Sequence, residues 1–323
     1  MSEEPLPSPP SPPPAVTAPV SPVMAVEAMM PSPVAGIAAG REPCVGAAIG
    51  ATALYVVLLM AMQVALTVVA MVVHETPSLG SRLTGLAMVL AFGGIVSLLP
   101  LLLKIPLRDL LRLRMPGVSA LAAGLLLSLG AWVWALEIGV VTERLLPMPE
   151  LVAKMFEKLF STEDWVGSFI LIVVIPPVAE EVFCRGVVLR AMLARWNPAR
   201  AVLASALIFG AIHMNPWQFF YATWLGLVIG WTYVRTRSLG LCMLMHAVNN
   251  AASWVLIRVR PDLTMASTDS PPAAEHLPWP LLAGGVGLLA AGVVLMRRSP
   301  PAPRAGLETG AISDPGSGSI DPA

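Results

Sequence analysis

Between Glu42 and Glu75 the chain carries no charged side chain, and comparable runs recur along most of its length. A bilayer core offers no water to backbone amides, so a crossing segment must satisfy them within itself as a helix of about 20 apolar residues. Val45–Val73, Leu83–Leu103, Pro116–Leu136 and Trp165–Leu189 meet that requirement. Ala201–Met214 and Trp217–Val234 read as a hairpin turning at Asn215-Pro216, followed by Leu239–Ile257 and Leu277–Met296. The expected fold is therefore an all-α polytopic membrane bundle of about eight helices. The uncharged run through the hairpin, 34 residues from Ala201 to Val234, is short for two crossings. The Asn-Pro turn should lie shallow or face a cavity. Between Glu137 and Asp164, Leu151, Met155, Leu159 and Phe160 repeat at helical spacing among charges, the pattern of a short interfacial helix.

Composition agrees. Hydrophobic residues make up 56% and charged residues 12%, with a mean hydropathy of +0.75; a soluble domain carries about twice that charged fraction. Formal net charge is zero, so no basic excess points to nucleic acid. Cys44, Cys184 and Cys242 show neither a disulfide framework nor metal spacing. Eleven of the 32 prolines fall in the first 40 residues, which reads as a disordered Pro-rich tail over 1–42 rather than a signal peptide. Residues 43–298 form the transmembrane domain, and 299–323 read as a second disordered tail. With the N-terminus inside, 13 Lys and Arg fall in inside loops and 6 outside. The positive-inside rule then puts both termini in the cytoplasm. Ala, Pro and Arg usage of bacterial type suggests a bacterial inner membrane. No internal repeat is visible, which argues against a transporter built of inverted halves.

Against this apolar background the polar residues stand out. Glu180 and Glu181 are adjacent within Ile175-Pro176-Pro177-Val178-Ala179-Glu180-Glu181-Val182-Phe183-Cys184-Arg185. A carboxylate at mid-bilayer costs about 3 kcal/mol or more, so it persists where it pairs, lines a wet cavity or does chemistry. Arg195 follows Glu180 by 15 residues, roughly 22 Å of helix. His213 follows Arg200 by 13 residues, and His246 and Asn250 follow Arg237 by 9 and 13, or roughly 20, 14 and 20 Å. Three helices thus place Glu180, His213, His246 and Asn250 in one layer near mid-membrane.

Glu181 and Arg185 are spaced for a same-face ion pair, which leaves Glu180 as the unpaired carboxylate. Phe209 shares a face with His213, as His246 does with Asn250. A carboxylate beside an imidazole can take a proton from water and return it to a leaving amine. An imidazole and an amide can donate to the oxyanion of a tetrahedral intermediate. Equally, Glu180, His213 and His246 could hold zinc, with water as fourth ligand, although no His-Glu-x-x-His helix is present. Taken singly, these residues have plainer readings: a helix-stabilising ion pair, an interfacial histidine, polar contacts between helices and, for Phe209, packing.

Together, Glu180-Glu181-x-x-x-Arg185, Phe209-x-x-x-His213 and His246-x-x-x-Asn250 resemble the three-motif signature of the CAAX protease and bacteriocin-processing family. These intramembrane endopeptidases include the type II prenyl-protein proteases. The resemblance covers about Trp165–Ile257, with a protease core over 165–258, and no motif position departs from it. It implies that Glu180 and His213 activate water, that His246 and Asn250 stabilise the oxyanion, and that Glu181 and Arg185 support the site. It leaves open whether a metal takes part. The implied partners are the lipid bilayer and a membrane-associated peptide, of CAAX or bacteriocin-leader type. A noncatalytic scaffold or immunity-type protein, or a proton-coupled transporter using Glu180, are the competing classes.

Overall fold

The structure is a computed structural model that describes residues 116–150, 165–260 and 275–300, with isolated positions at 46, 50, 54, 111, 113, 152 and 153. Both tails, the two spans expected over 45–103 and most of the interfacial segment after Glu150 lie outside the described residues. Those described are all helical, without strands. In chain order the helices are α1 (Val118–Leu145), α2 (Trp165–Leu193), α3 (Pro198–Ala211), α4 (Pro216–Thr236), α5 (Leu239–Val259) and α6 (Trp279–Arg298). Among them α1, α2, α5 and α6 are long and apolar enough to cross a membrane. Together with the composition, they make this an integral membrane protein.

The helix starts follow from capping chemistry. Asn197 Oδ1 accepts from Arg200 N at 2.9 Å, and Pro198 follows it. Asn215 Oδ1 accepts from Gln218 N at 2.7 Å before Pro216, and Ser238 Oγ accepts from Leu241 N at 3.1 Å. Each cap satisfies an amide that has no intrahelical partner, and proline fits the first turn because its missing N–H would be idle there. α4 ends where Arg237 turns left-handed (φ 51°) and returns its N–H to Tyr233.

Helix α1 is the hub, packing against α4, α5 and α6. Small residues set the α1–α6 approach. A Cβ on Gly130 would come within 2.8 Å of the Gly285 carbonyl, and one on Gly292 within 2.7 Å of Leu127. Such close backbone contact is how helices associate where lipid removes the hydrophobic drive. Polar ties fix the rest. Ser128 Oγ donates to the Met245 carbonyl at 2.6 Å, Trp132 Nε1 to Ser253 Oγ at 3.0 Å and Trp224 Nε1 to the Ala131 carbonyl at 3.0 Å.

Two spans differ from the sequence expectation: α1 runs on past Leu136, and α3 covers Pro198–Ala211 rather than Ala201–Met214. α1 does not stop at Leu136 but carries Glu137 within it, because the carboxylate is satisfied: it accepts from His276 Nδ1 at 2.5 Å and from Leu277 N at 3.0 Å. The helix α3 has 14 residues, about 21 Å, so the following turn falls short of a bilayer thickness of about 30 Å. α4 has 21 residues, but Trp217, Trp224, Trp231, Tyr221 and Tyr233 lower its hydropathy, and it is not among the four apolar spans.

Candidate active site

The site is built where α2, α3 and α5 meet. α2 is irregular: π-helical turns over Ile170–Val174 and Val182–Leu189 flank a short α segment, Ile175–Glu181. Such π turns are uncommon and recur at functional sites. Glu180 and Glu181 sit at the end of the α segment and face different neighbours.

Glu181 is fully buried. Its Oε1 accepts from Arg185 Nη1 at 2.9 Å and lies 3.0 Å from His246 Nδ1. Arg185, 1% exposed, also donates from Nη2 to the Gly226 carbonyl at 3.2 Å and lies over the Phe209 ring at 4.7 Å. The same ring meets both imidazoles edge-on, with centroids 5.3 Å from His213 and 5.4 Å from His246. Phe209 is therefore the hub against which Arg185 and both histidines are set, more than the plain packing residue its sequence position suggests.

Glu180 points elsewhere. Its side chain is 13% exposed, and Oε2 lies 4.0 Å from His213 Nε2. That gap is too long for a direct hydrogen bond and suits one shared water. Oε2 accepts no hydrogen bond from the protein among the described residues. His213 Nδ1 is held by the Phe209 carbonyl at 2.8 Å, so its Nε2 is the nitrogen turned to Glu180.

Local sequence explains how His213 is presented. Gly210, one turn earlier, lets α4 approach: a Cβ there would collide with Thr223 Oγ1 and come within 2.6 Å of the Phe219 carbonyl. After His213 the chain turns sharply through Met214, left-handed at φ 54°. Asn215 then caps α4 while its Nδ2 donates to the His213 carbonyl at 3.3 Å and to Gln218 Oε1.

Asn250 lies one turn beyond His246, and its Nδ2 donates to the Ile172 carbonyl of α2 at 2.9 Å. The structure thus gathers Glu180, Glu181, Arg185, Phe209, His213 and His246 in one cluster and ties Asn250 to the wall beside it. The α5 stripe also runs further than the sequence motifs do. Trp254 Nε1 donates to Ser168 Oγ at 3.2 Å, and Arg258 Nη2 donates to the same oxygen at 2.7 Å. His246, Asn250, Trp254 and Arg258 are spaced by four, so one face of α5 carries four successive polar contacts to α2. Continued four-residue spacing was the available signal for Trp254 and Arg258; Ser168 carried none.

Both histidines have Nδ1 anchored, one on a carboxylate and one on a carbonyl, which is how metal-ligating histidines are oriented. Yet among the described residues no three His, Cys, Asp or Glu side chains are grouped to hold a metal ion. Glu180, His213 and His246 are not gathered into the three-ligand set that a catalytic zinc requires.

The described residues thus form the apolar helical bundle of a polytopic membrane protein, with a buried carboxylate–imidazole cluster between α2, α3 and α5. Residues 162–252 match the family model described as type II CAAX prenyl endopeptidase, Rce1-like, and so carry an Rce1-like domain. The matched segment is under a third of the 323 residues and contains Glu180, Glu181, Arg185, Phe209, His213, His246 and Asn250, whereas Trp254 and Arg258 lie beyond its end. No curated protein and no solved structure matches the chain.

Proposed function

We propose that the protein is an intramembrane endopeptidase that hydrolyses a peptide bond in a membrane-associated substrate, with Glu180 as general base. The observation that carries this reading is the Glu180–His213 pair: a carboxylate oxygen without a protein partner, 4.0 Å from an oriented imidazole nitrogen. A water between them loses a proton to Glu180 as its oxygen attacks the scissile carbonyl. The carbonyl becomes a tetrahedral oxyanion. His246, whose Nδ1 lies 3.0 Å from Glu181 Oε1, donates from Nε2 to that oxyanion. Asn250 Nδ2 is engaged with the Ile172 carbonyl and flanks that donor. Glu180 then passes its proton to the amine nitrogen, the C–N bond breaks, and a carboxylic acid and an amine leave.

The matched family is named for CAAX prenyl substrates, and a CAAX-type or leader-type peptide in the cytoplasmic leaflet of a bacterial inner membrane is the substrate class we assign. The test is purified protein in liposomes with a farnesylated CAAX-type peptide and an unprenylated leader peptide, products read by mass. Cleavage of either supports an endopeptidase, and the choice between them sets the class. No cleavage by folded protein would favour a scaffold; solute uptake driven by a proton gradient would favour a transporter. Metal dependence is checked on the same preparation: stoichiometric zinc, with activity lost on chelation and restored only by adding zinc back, would overturn the metal-free assignment and recast Glu180, His213 and His246 as ligands.

A further inference from the structure

We propose that Asn250 is a positioning residue that acts on the carboxylates through the backbone of α2, by supplying the donor that two prolines remove. This rests on the endopeptidase reading above. In an α-helix the Ile172 carbonyl would accept from the amide of residue 176, and in a π turn from that of residue 177. Both residues are proline, Pro176 and Pro177, and neither has an N–H to give. The local geometry is already π-like, since Ile175 N–H returns to the Ile170 carbonyl. Ile172 is thus the one carbonyl in this stretch that loses its donor in either helical register. Asn250 Nδ2 meets it at 2.9 Å from the neighbouring helix.

A carbonyl unpaired in a membrane interior is costly, and prolines in membrane helices persist where a neighbouring side chain satisfies the freed group. The consequence reaches the site because the Pro-Pro turn feeds directly into Glu180 and Glu181, three and four residues after Pro177. From the same face of α5, His246 holds Glu181 at 3.0 Å. The two bonds, one before the prolines and one after, clamp the segment against α5 and fix how Glu180 is aimed at His213. Without the first, the segment pivots about the second.

A double-mutant cycle between Asn250 and Pro177 tests this. Pro177→Ala returns a backbone amide that Ile172 can use, so Asn250 becomes dispensable for that bond. Asn250→Ala alone should lower kcat about 100-fold with KM little changed, the size expected for misplacing a catalytic group. In the Pro177→Ala background the same substitution should cost less than about tenfold. An equal loss in both backgrounds would overturn the proposal and make Asn250 a direct donor to the reacting atoms. Should Pro177→Ala not fold, Pro176→Ala supplies the amide four residues on and serves the same comparison. Thermal unfolding of the same four proteins reads the bond independently of turnover: Asn250→Ala should lower the melting temperature less when Pro177 is alanine. Additive shifts in melting temperature would also overturn the proposal. Absence of turnover in folded wild-type protein would instead count against the endopeptidase reading, leaving the bond to be judged on melting alone.

Discussion

Glu181 and Glu180 are chemically identical and adjacent, and their surroundings give them different work. Glu181 accepts from Arg185 and faces His246 with no exposure to solvent, so it holds both partners in place. Glu180 keeps an oxygen free toward His213. Removing one member of a buried ion pair leaves its partner uncompensated and typically costs about 3–5 kcal/mol. Glu181→Ala should therefore lower the melting temperature in detergent as well as activity, and unchanged melting with selective loss of turnover would move Glu181 into the chemistry. Phe209→Ala should cost about 3–5 kcal/mol and release Arg185 and both imidazoles together; thermal unfolding and turnover are expected to fall in parallel. At this scale the sequence was informative. Charges inside apolar runs announce themselves, and four-residue spacing pairs Glu181 with Arg185. The contact from Glu181 to His246 was not legible, because it depends on how two helices 65 residues apart are rotated against each other.

Among the elements, packing is decided by glycines and capped turns. Gly130 lies against the backbone of α6, whereas Gly139, on the same helix, has nothing within 4 Å of where a Cβ would stand. Gly130→Ala should lower the melting temperature markedly by forcing α1 and α6 apart. Gly139→Ala should be neutral or stabilise by up to about 1 kcal/mol, since alanine is the better helix former. Equal effects at the two positions would contradict the packing described for α1 and α6. Helix existence was readable from uncharged length, and the turn between α3 and α4 from Asn215-Pro216, whereas the start of α3 at Pro198 falls before the expected Ala201. The extension of α1 past Glu137 was not, because it depends on His276 and Leu277 arriving from 139 and 140 residues away. Nor were the π turns of α2, although Pro176-Pro177 marked the place where the regular ladder must fail.

For the molecule as a whole, the polar centre sits between helices whose outer surfaces are apolar. Trp165, Val166 and Trp279 are more than 60% exposed, as suits side chains that meet lipid. The basic residues Arg190, Arg195, Arg200, Arg235, Arg237, Arg297 and Arg298 cluster at one end of the described helices. We expect that end, with both chain termini, on the cytoplasmic side; single cysteines at residues 2 and 322, probed with an impermeant thiol reagent in intact cells, should stay unlabelled until the cells are opened. Labelling of either in intact cells would reverse the assignment. The central claim is narrower: one carboxylate, Glu180, activates water inside the membrane. The most direct measurement is cleavage of a membrane-associated CAAX-type peptide by purified wild-type protein and Glu180→Gln in liposomes, each with its melting temperature recorded. Glutamine keeps the shape of Glu180 and removes its basicity, so turnover should vanish while melting and peptide binding are kept. Turnover by Glu180→Gln at a rate near wild type would contradict the account.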